Sequence, residues 1–473
     1  MTEVPPSRPP AERAGVARMV RIRSLPGKIR AIAFLSVLAV AAMFTVSWFA
    51  VSDARDGLRV IGHDAGPQVV ATGDLYYALS DMDAQLAAVL LMGREQNLGS
   101  GRAKALQVYD QRRSQAHRAL LQGSNLARND PAEQQTARSM LDALGRYEEF
   151  AGQALQLDQR QSHAAGPPGQ EVRSLYTQAT NIMKLDVLPK AYNLTLDNGT
   201  TVRRTYESKH SAVLAGRVWV LLAGAVLIVI FLALQAYLAV NFRRLINPVL
   251  AIATLATVIL IGGTIGLLTT EANHLKKAKG DGFDSVLSLS RARAISNNAN
   301  ADETRYLLDP TLADTYEQVY LDKSQEILYV PAGNLGEYYQ QVDAKVAKGS
   351  GFMGFLGVEA QHVTLPGQAT ALSRTLDAYR GVQHDDAGIR KLSTTPGGRH
   401  TAIVLRMGTA SQDFGSYDQR LVTLTAIHQK AFTDAIKDGD DGLNGWNIAL
   451  PVAAILIAIL VLAGVRPRLS EFR

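Results

Sequence analysis

The chain has no cysteine. That excludes disulfides, thiolate metal sites and a cysteine nucleophile, and leaves the compartment open. Charge is scarce as well. Asp, Glu, Lys and Arg make up 19 % of residues, and a mean hydropathy of zero requires very apolar stretches to offset polar ones. Catalytic motifs are missing. There is no GxxxxGK[ST] or GxSxG run, and no two of the nine histidines form a His-x-x-x-His or His-Glu-x-x-His pair, so phosphate loops, nucleophile elbows and helical zinc sites have no candidate. His384-Asp385-Asp386 reads as solvated helix surface. Asp438-Gly-Asp-Asp-Gly-Leu-Asn444 has the look of a calcium loop, but an EF-hand needs a carboxylate at its twelfth position, where Ala449 stands. It reads as a hinge. No catalytic residue, metal or cofactor is expected, and the chain reads as a non-enzyme.

What the chain does contain is long uncharged runs. Val218–Val240 has 23 residues and Val249–Thr270 has 22, each enough to cross a hydrocarbon core of ~30 Å. Ala31–Val51 and Trp446–Val465 are two more. A charged residue at a span centre costs about 2.5–3.5 kcal/mol on the insertion scale, so four charge-free runs indicate four transmembrane helices. Only residues 241–248 separate the middle two, which makes them an antiparallel hairpin. The net charge of +6 would suit nucleic acid, but its placement argues for membrane instead. Arg8, Arg13, Arg18, Arg21, Arg23, Lys28 and Arg30 precede the first run, Arg243 and Arg244 occupy the hairpin tip, and Arg466, Arg468 and Arg473 follow the last. Basic residues beside spans favour the cytoplasmic side and anionic lipid. The expected localisation is a bacterial plasma membrane, multi-pass, with both termini cytoplasmic.

The expected fold is mainly α, with four transmembrane helices and two extracytoplasmic helical-bundle domains. Residues 1–30 read as a disordered basic tail, 31–51 as the first span and 52–217 as a four-helix bundle. The second span is 218–240, the hairpin tip 241–248 and the third span 249–270. A second helical domain, 271–445, carries an irregular insertion at 329–366. The last span is 446–465 and the tail 466–473. Gly57, Gly62 and Gly66-Pro67 mark a loosened helix after the first span, and Pro189 is expected to kink the helix entering the second. Ala294 to Leu308 can be laid over Ala78 to Met92 without a gap, an internal repeat of the plan span, helical segment, span. Thr401–Met407 reads as a short extended piece. Gly262-Gly-Thr-Ile-Gly266 spaces small residues four apart, which allows close helix approach within the chain or with a second copy in a homodimer.

Several stretches resemble one family. Leu175-Tyr-Thr-Gln-Ala-Thr-Asn-Ile-Met183, Leu188-Pro-Lys-Ala191, Arg243-Arg-Leu-Ile-Asn-Pro248, Glu359-Ala-Gln-His-Val-Thr-Leu-Pro-Gly367, Leu376-Asp-Ala-Tyr379, Asp386-Ala-Gly-Ile-Arg390 and Phe414 to Leu421 together look like the actinobacterial GlnX-type four-span membrane protein. The resemblance implies a relay of glutamate or aspartate availability from an extracytoplasmic solute-binding lipoprotein to a cytosolic serine/threonine kinase. It carries over no catalytic residue. The predicted cytoplasmic segments are too short to hold an output domain, so output is expected from another protein. Arg243, Arg244, Arg466 and Arg468 are the candidate cytoplasmic partner contacts. Tyr338, Tyr339, Phe352, Met353 and Phe355, in and beside the Gly/Phe/Met stretch 349–357, are the candidate outer ones. The alternatives are a direct small-molecule sensor acting through its own helical domains and a transporter-associated subunit.

Overall fold

The computed structural model describes residues 25–126, 131–242 and 247–470. The helices are α1 (Leu25–Leu58), α2 (Gly66–Met92), α3 (Arg102–Leu126), α4 (Pro131–Gln161), α5 (Gln170–Ile182), α6 (Leu188–Phe242), α7 (Pro248–Lys277), α8 (Asp284–Leu308), α9 (Ala313–Ile327), α10 (Leu335–Lys348), α11 (Gly354–Gln361), α12 (Gln368–Thr394), α13 (Arg399–Met407), α14 (Thr409–Leu443) and α15 (Trp446–Ser470). The β pairing among the described residues is a single bridge, Tyr329–Met353. Two compact units result. Among the described residues, a membrane unit gathers those up to Ser52, Leu214–Thr269 and those from Asn444 onward, and a globular unit holds those of Asp53–Val213 and Thr270–Leu443.

In the membrane unit, α1, α6, α7 and α15 each carry a stretch long and apolar enough to cross a membrane. The chain is therefore a multi-pass membrane protein. Phe34, Val229, Leu255 and Ile455 stay exposed along these helices, a pattern that suits lipid and not water. Close packing uses glycine. A Cβ on Gly224 would come within 2.3 Å of Ile261, and one on Gly216 within 2.7 Å of Ala50. Gly262 does not serve this purpose, because a Cβ there would meet nothing within 4 Å. The Asn-Pro pair at the hairpin starts α7 for two reasons. Asn247 Oδ1 accepts from Val249 N at 3.1 Å, an N-cap bond, and Pro248 takes the first helical position, where no amide proton is needed. Asn247 Nδ2 also donates to the Gly464 carbonyl at 2.7 Å, which ties the hairpin to α15. Arg243 and Arg244 lie outside the described residues, as do residues 1–24 of the predicted tail.

The globular unit is built on the internal repeat. α2 and α8 end at Met92 and Leu308, the positions the gapless overlay pairs. They pack side by side and in parallel. Gly73 meets Ser290, Arg293 lies over the Tyr77 ring at 3.8 Å, and Asp83 pairs with Arg305. Against α2 pack α3 and α4, with α5 on α4, and against α8 pack α9, α11, α13 and α14, with α12 on α13 and α14. One apolar core takes Leu79, Leu86, Leu90, Tyr147 and Tyr176 from the first segment and Leu307, Leu308, Ile403 and Met407 from the second. Each such side chain, fully buried, contributes roughly 1.5–3 kcal/mol relative to exposure. Both central helices are preceded by π-helical turns, Arg59–Ala65 before α2 and Ala278–Phe283 before α8. Of the glycines read as a loosened helix, Gly62 lies in the first, Gly57 lies near the end of α1 and Gly66 begins α2. A third π turn, Met183–Val187, sits just before Pro189, a place where helices commonly bend.

Several expectations change. The stretch 329–366 is not irregular, since it contains α10 and α11. Its glycines end one helix and start the next. Gly349 (φ +65°) caps α10 in the left-handed region, and at Gly354 (φ +81°) a Cβ would sit 2.8 Å from the Glu326 carbonyl. The spacing Gly349-x-Gly351-x-x-Gly354 matches a dinucleotide loop, yet it joins helix to helix and lacks the strand such a loop follows. Residues 401–407 are helical, within α13, whose apolar side Ala402, Ile403 and Met407 is buried. Residues 438–443 belong to α14, and the turn comes at Asn444-Gly445, where Gly445 takes φ +80°.

Candidate functional site

α8 has a composition that a buried helix rarely has. Ser296-Asn-Asn-Ala-Asn-Ala-Asp-Glu-Thr-Arg305 is almost entirely polar, yet Asn297, Asn298, Asp302, Glu303 and Arg305 are all buried. A polar helix in a core is stable only where its groups find partners. Two networks supply them, one on each side.

The first network joins α8 to α2, α5 and α9. Arg305 donates from Nε to the Tyr176 hydroxyl at 3.0 Å and pairs with both Asp302 and Asp83. Thr180 donates to Asp83 Oδ2 at 2.7 Å. Lys323 donates to Asn298 Oδ1 at 2.8 Å and to Asp302, and Lys184 stands 3.8 Å from the same carboxylate. Burial would raise the Asp302 pKa, but Lys323, Arg305 and Lys184 together hold it down at about 2. Burial lowers Lys323 to about 8, against the attraction of Asp302. The network therefore binds the two inter-span segments to each other through charge that water does not screen.

The second network lies between α8, α9, α10, α12 and α13. Arg406 donates to the Asn300 carbonyl at 2.8 Å and stands 3.0 Å from Glu303. Arg390 donates to Asp386 at 2.8 Å and stacks over the rings of Tyr306 and Tyr320 at 4.5 and 5.1 Å. Burial holds the Glu303 carboxyl well above the ordinary range, Arg406 opposes this and Asp386 reinforces it. Beside the network is a chamber of about 10 Å³, room for one water-sized species. Tyr320, Tyr379 and Tyr417 wall it, and three of its buried polar atoms, Glu303 Oε1, Ser324 Oγ and Gln383 Oε1, have no hydrogen-bond partner among the described residues.

A third cluster holds the π turn before α8. His428 on α14 bonds the Asp281 carbonyl at 2.7 Å and Glu359 at 2.6 Å, and Gln368 donates to the same Glu359 oxygen at 2.7 Å. Gln368 Oε1 accepts from Thr364 and Leu365. The stretch Glu359–Gly367 is thus a polar clasp. Burial alone would lower the His428 pKa, but the bonds to Glu359 and to Asp281 raise it above the ordinary histidine value.

The candidate contact residues are dispersed. Tyr338 is wholly buried and donates to the Ser324 and Leu328 carbonyls at 2.7 and 2.8 Å, and Phe352 is buried in the same core. Neither is available to a partner, because each has an apolar ring on the inward side of its element. Tyr339 is half-buried with its hydroxyl on Asp386, Phe355 packs under Arg291 with 5.0 Å to its ring, and Met353 stays exposed. His384-Asp385-Asp386 is not all surface. His384 turns outward to Asp343 at 2.7 Å, while Asp386 is buried on Arg390. Arg466 is exposed, and Arg468 lies in α15. The buried ions of α8 were not anticipated. The signal available was a polar run inside the repeat, with Asn298, Asp302 and Arg305 at positions where the first copy reads Met82, Leu86 and Val89.

Residues 57–207 match a family model described as an actinobacterial sensor domain. The matched stretch contains Asp83, Tyr176, Thr180 and Lys184 of the first network and gives the chain a role in sensing. No curated protein and no solved structure matches the chain.

Proposed function

We propose that this membrane sensor is a signal-transducing receptor without enzymatic activity, in which helix movement carries the state of the globular unit to the far ends of the spans. In this reading residues 53–213 and 270–443 are extracytoplasmic, and Arg243, Arg244, Arg466 and Arg468 face the cytosol. The observation that carries the proposal is α6, helical without interruption from Leu188 to Phe242. Its first residues belong to the sensing segment, where Lys190 donates to Ser139 at 2.6 Å, and its last belong to the second span. A helix is stiff along its axis, so a displacement at Lys190 reaches Phe242. The sensor-domain match supports the receptor role. The GlnX-type resemblance supports the finer reading, in which a lipoprotein loaded with glutamate or aspartate docks on the globular unit and a serine/threonine kinase reads the cytosolic end. The loaded lipoprotein then has to favour one helix arrangement over the other by a few kcal/mol.

A second reading is direct binding of the amino acid by the globular unit. The chamber beside the second network does not carry it, because a volume of about 10 Å³ has room for one water-sized species, which would suit the unpartnered Ser324 Oγ and Gln383 Oε1. Both readings are tested with the full-length chain in nanodiscs. Capture of an amino-acid-binding lipoprotein that requires glutamate supports the relay. A melting shift with glutamate alone supports direct binding. Failure of both overturns the amino-acid reading.

A further inference from the structure

We propose that the membrane unit binds an anionic phospholipid in the groove between α1 and α15, with its phosphate held by Arg30 and Arg466. The groove has a volume of about 480 Å³. Its floor is Ala33 and Val465, its walls include Phe34 and Leu462, and the two arginines stand at one end. Phe34 and Leu462 are exposed, so the groove opens to the surroundings of the helices. Among the described residues no acidic side chain lines it and neither arginine has an ion-pair partner. An apolar trough with two cations at one end matches a molecule that joins an acyl chain to a phosphate. A soluble acidic protein would match the arginines but leave the trough empty, and a neutral lipid would match the trough but not the arginines.

The position gives the site a consequence. Gly464 precedes Val465 and Arg466, and its carbonyl receives the Asn247 side chain at 2.7 Å. A lipid seated on α15 therefore touches the same turn of helix that holds the hairpin start, and its headgroup adds to the contacts fixing that turn. The assignment concerns binding alone and does not depend on the relay.

Native mass spectrometry of the full-length protein tests it, with phosphatidylglycerol and phosphatidylcholine of matched chains. A charge near an anionic lipid surface is worth about fivefold in affinity, so two give roughly 30-fold preference for phosphatidylglycerol. Arg30→Gln with Arg466→Gln should remove that preference, while Arg217→Gln, at the opposite end of the second span, should leave it intact. Ala33→Phe fills the floor without changing charge and should also release phosphatidylglycerol. Helix content by circular dichroism confirms that the variants fold. Equal retention of the two lipids by the unaltered protein, or a double variant no different from Arg217→Gln, overturns the assignment. So does a double variant that keeps its lipid selectivity but loses a soluble partner.

Discussion

Arg305→Met is expected to be the most damaging single change in the globular unit that leaves the apolar core intact. The arginine is 1 % exposed and serves two carboxylates, Asp83 and Asp302, both at 0 %. Asp302 retains Lys323 and Lys184 when the guanidinium is removed, but among the described residues the Asp83 carboxylate keeps one hydrogen bond, from the Thr180 hydroxyl at 2.7 Å, and no ion pair within 4 Å. Breaking a buried pair from one side costs about 3–5 kcal/mol, because the remaining charge is left in low dielectric. The Thr180 bond places this case near the lower figure. At about 2–3 °C per kcal/mol for a unit this large, the melting point should fall by roughly 6–9 °C. Far-UV circular dichroism in detergent reads the change. Tryptophan emission does not, since Trp48, Trp219 and Trp446 all belong to the membrane unit. Asp83→Asn added to Arg305→Met removes the stranded charge and should recover about half the loss. If the two changes add without coupling, within about 0.5 kcal/mol, the pair is not a unit and the reasoning fails.

Two further predictions concern α14. The Glu271 carboxyl occupies the notch left by Gly439 and Gly442, and a Cβ at Gly442 would lie 2.6 Å from its Oε1. Gly442→Ala should therefore destabilise by about 1–3 kcal/mol, with most of the loss restored by Glu271→Ala; a thermal melt of the double variant no better than the single would contradict this. The folded pKa of His428 is raised, so its contribution to stability is complete below the unfolded value of about 6.5 and is lost as pH rises through the folded value. Denaturant midpoints measured from pH 6 to 9 should show that decline, and His428→Ala should flatten it; an unchanged slope would remove the clasp from the account.

The four spans were legible because each is a run without charge, the strongest pattern a sequence offers. The repeat was legible too, since Ala78–Met92 and Ala294–Leu308 share a register, and both become central helices that end at the matched residues. That these copies pack on each other was not. Sequence gives the buried face of an amphipathic helix, but α8 is buried on nearly all sides and carries Asn297, Asp302, Glu303 and Arg305 there, so periodicity assigns no face to it. Glycine misled in the opposite sense at 349–357, where caps and close approach between two helices looked like an irregular loop. Tyr338 and Phe352 were misplaced for the same reason: aromatic residues beside glycine suit a surface loop and a small helical core equally well.

Transmission by helix movement is tested most directly by distance between spin labels. The absence of native cysteine permits labels at Val240→Cys on α6 and Leu462→Cys on α15, both exposed positions of the membrane unit. Electron–electron resonance of the labelled chain in nanodiscs, recorded with and without glutamate-loaded lipoprotein, should show a change in the distance distribution or in the weights of two populations. Identical distributions, with docking verified in the same sample, would contradict the relay.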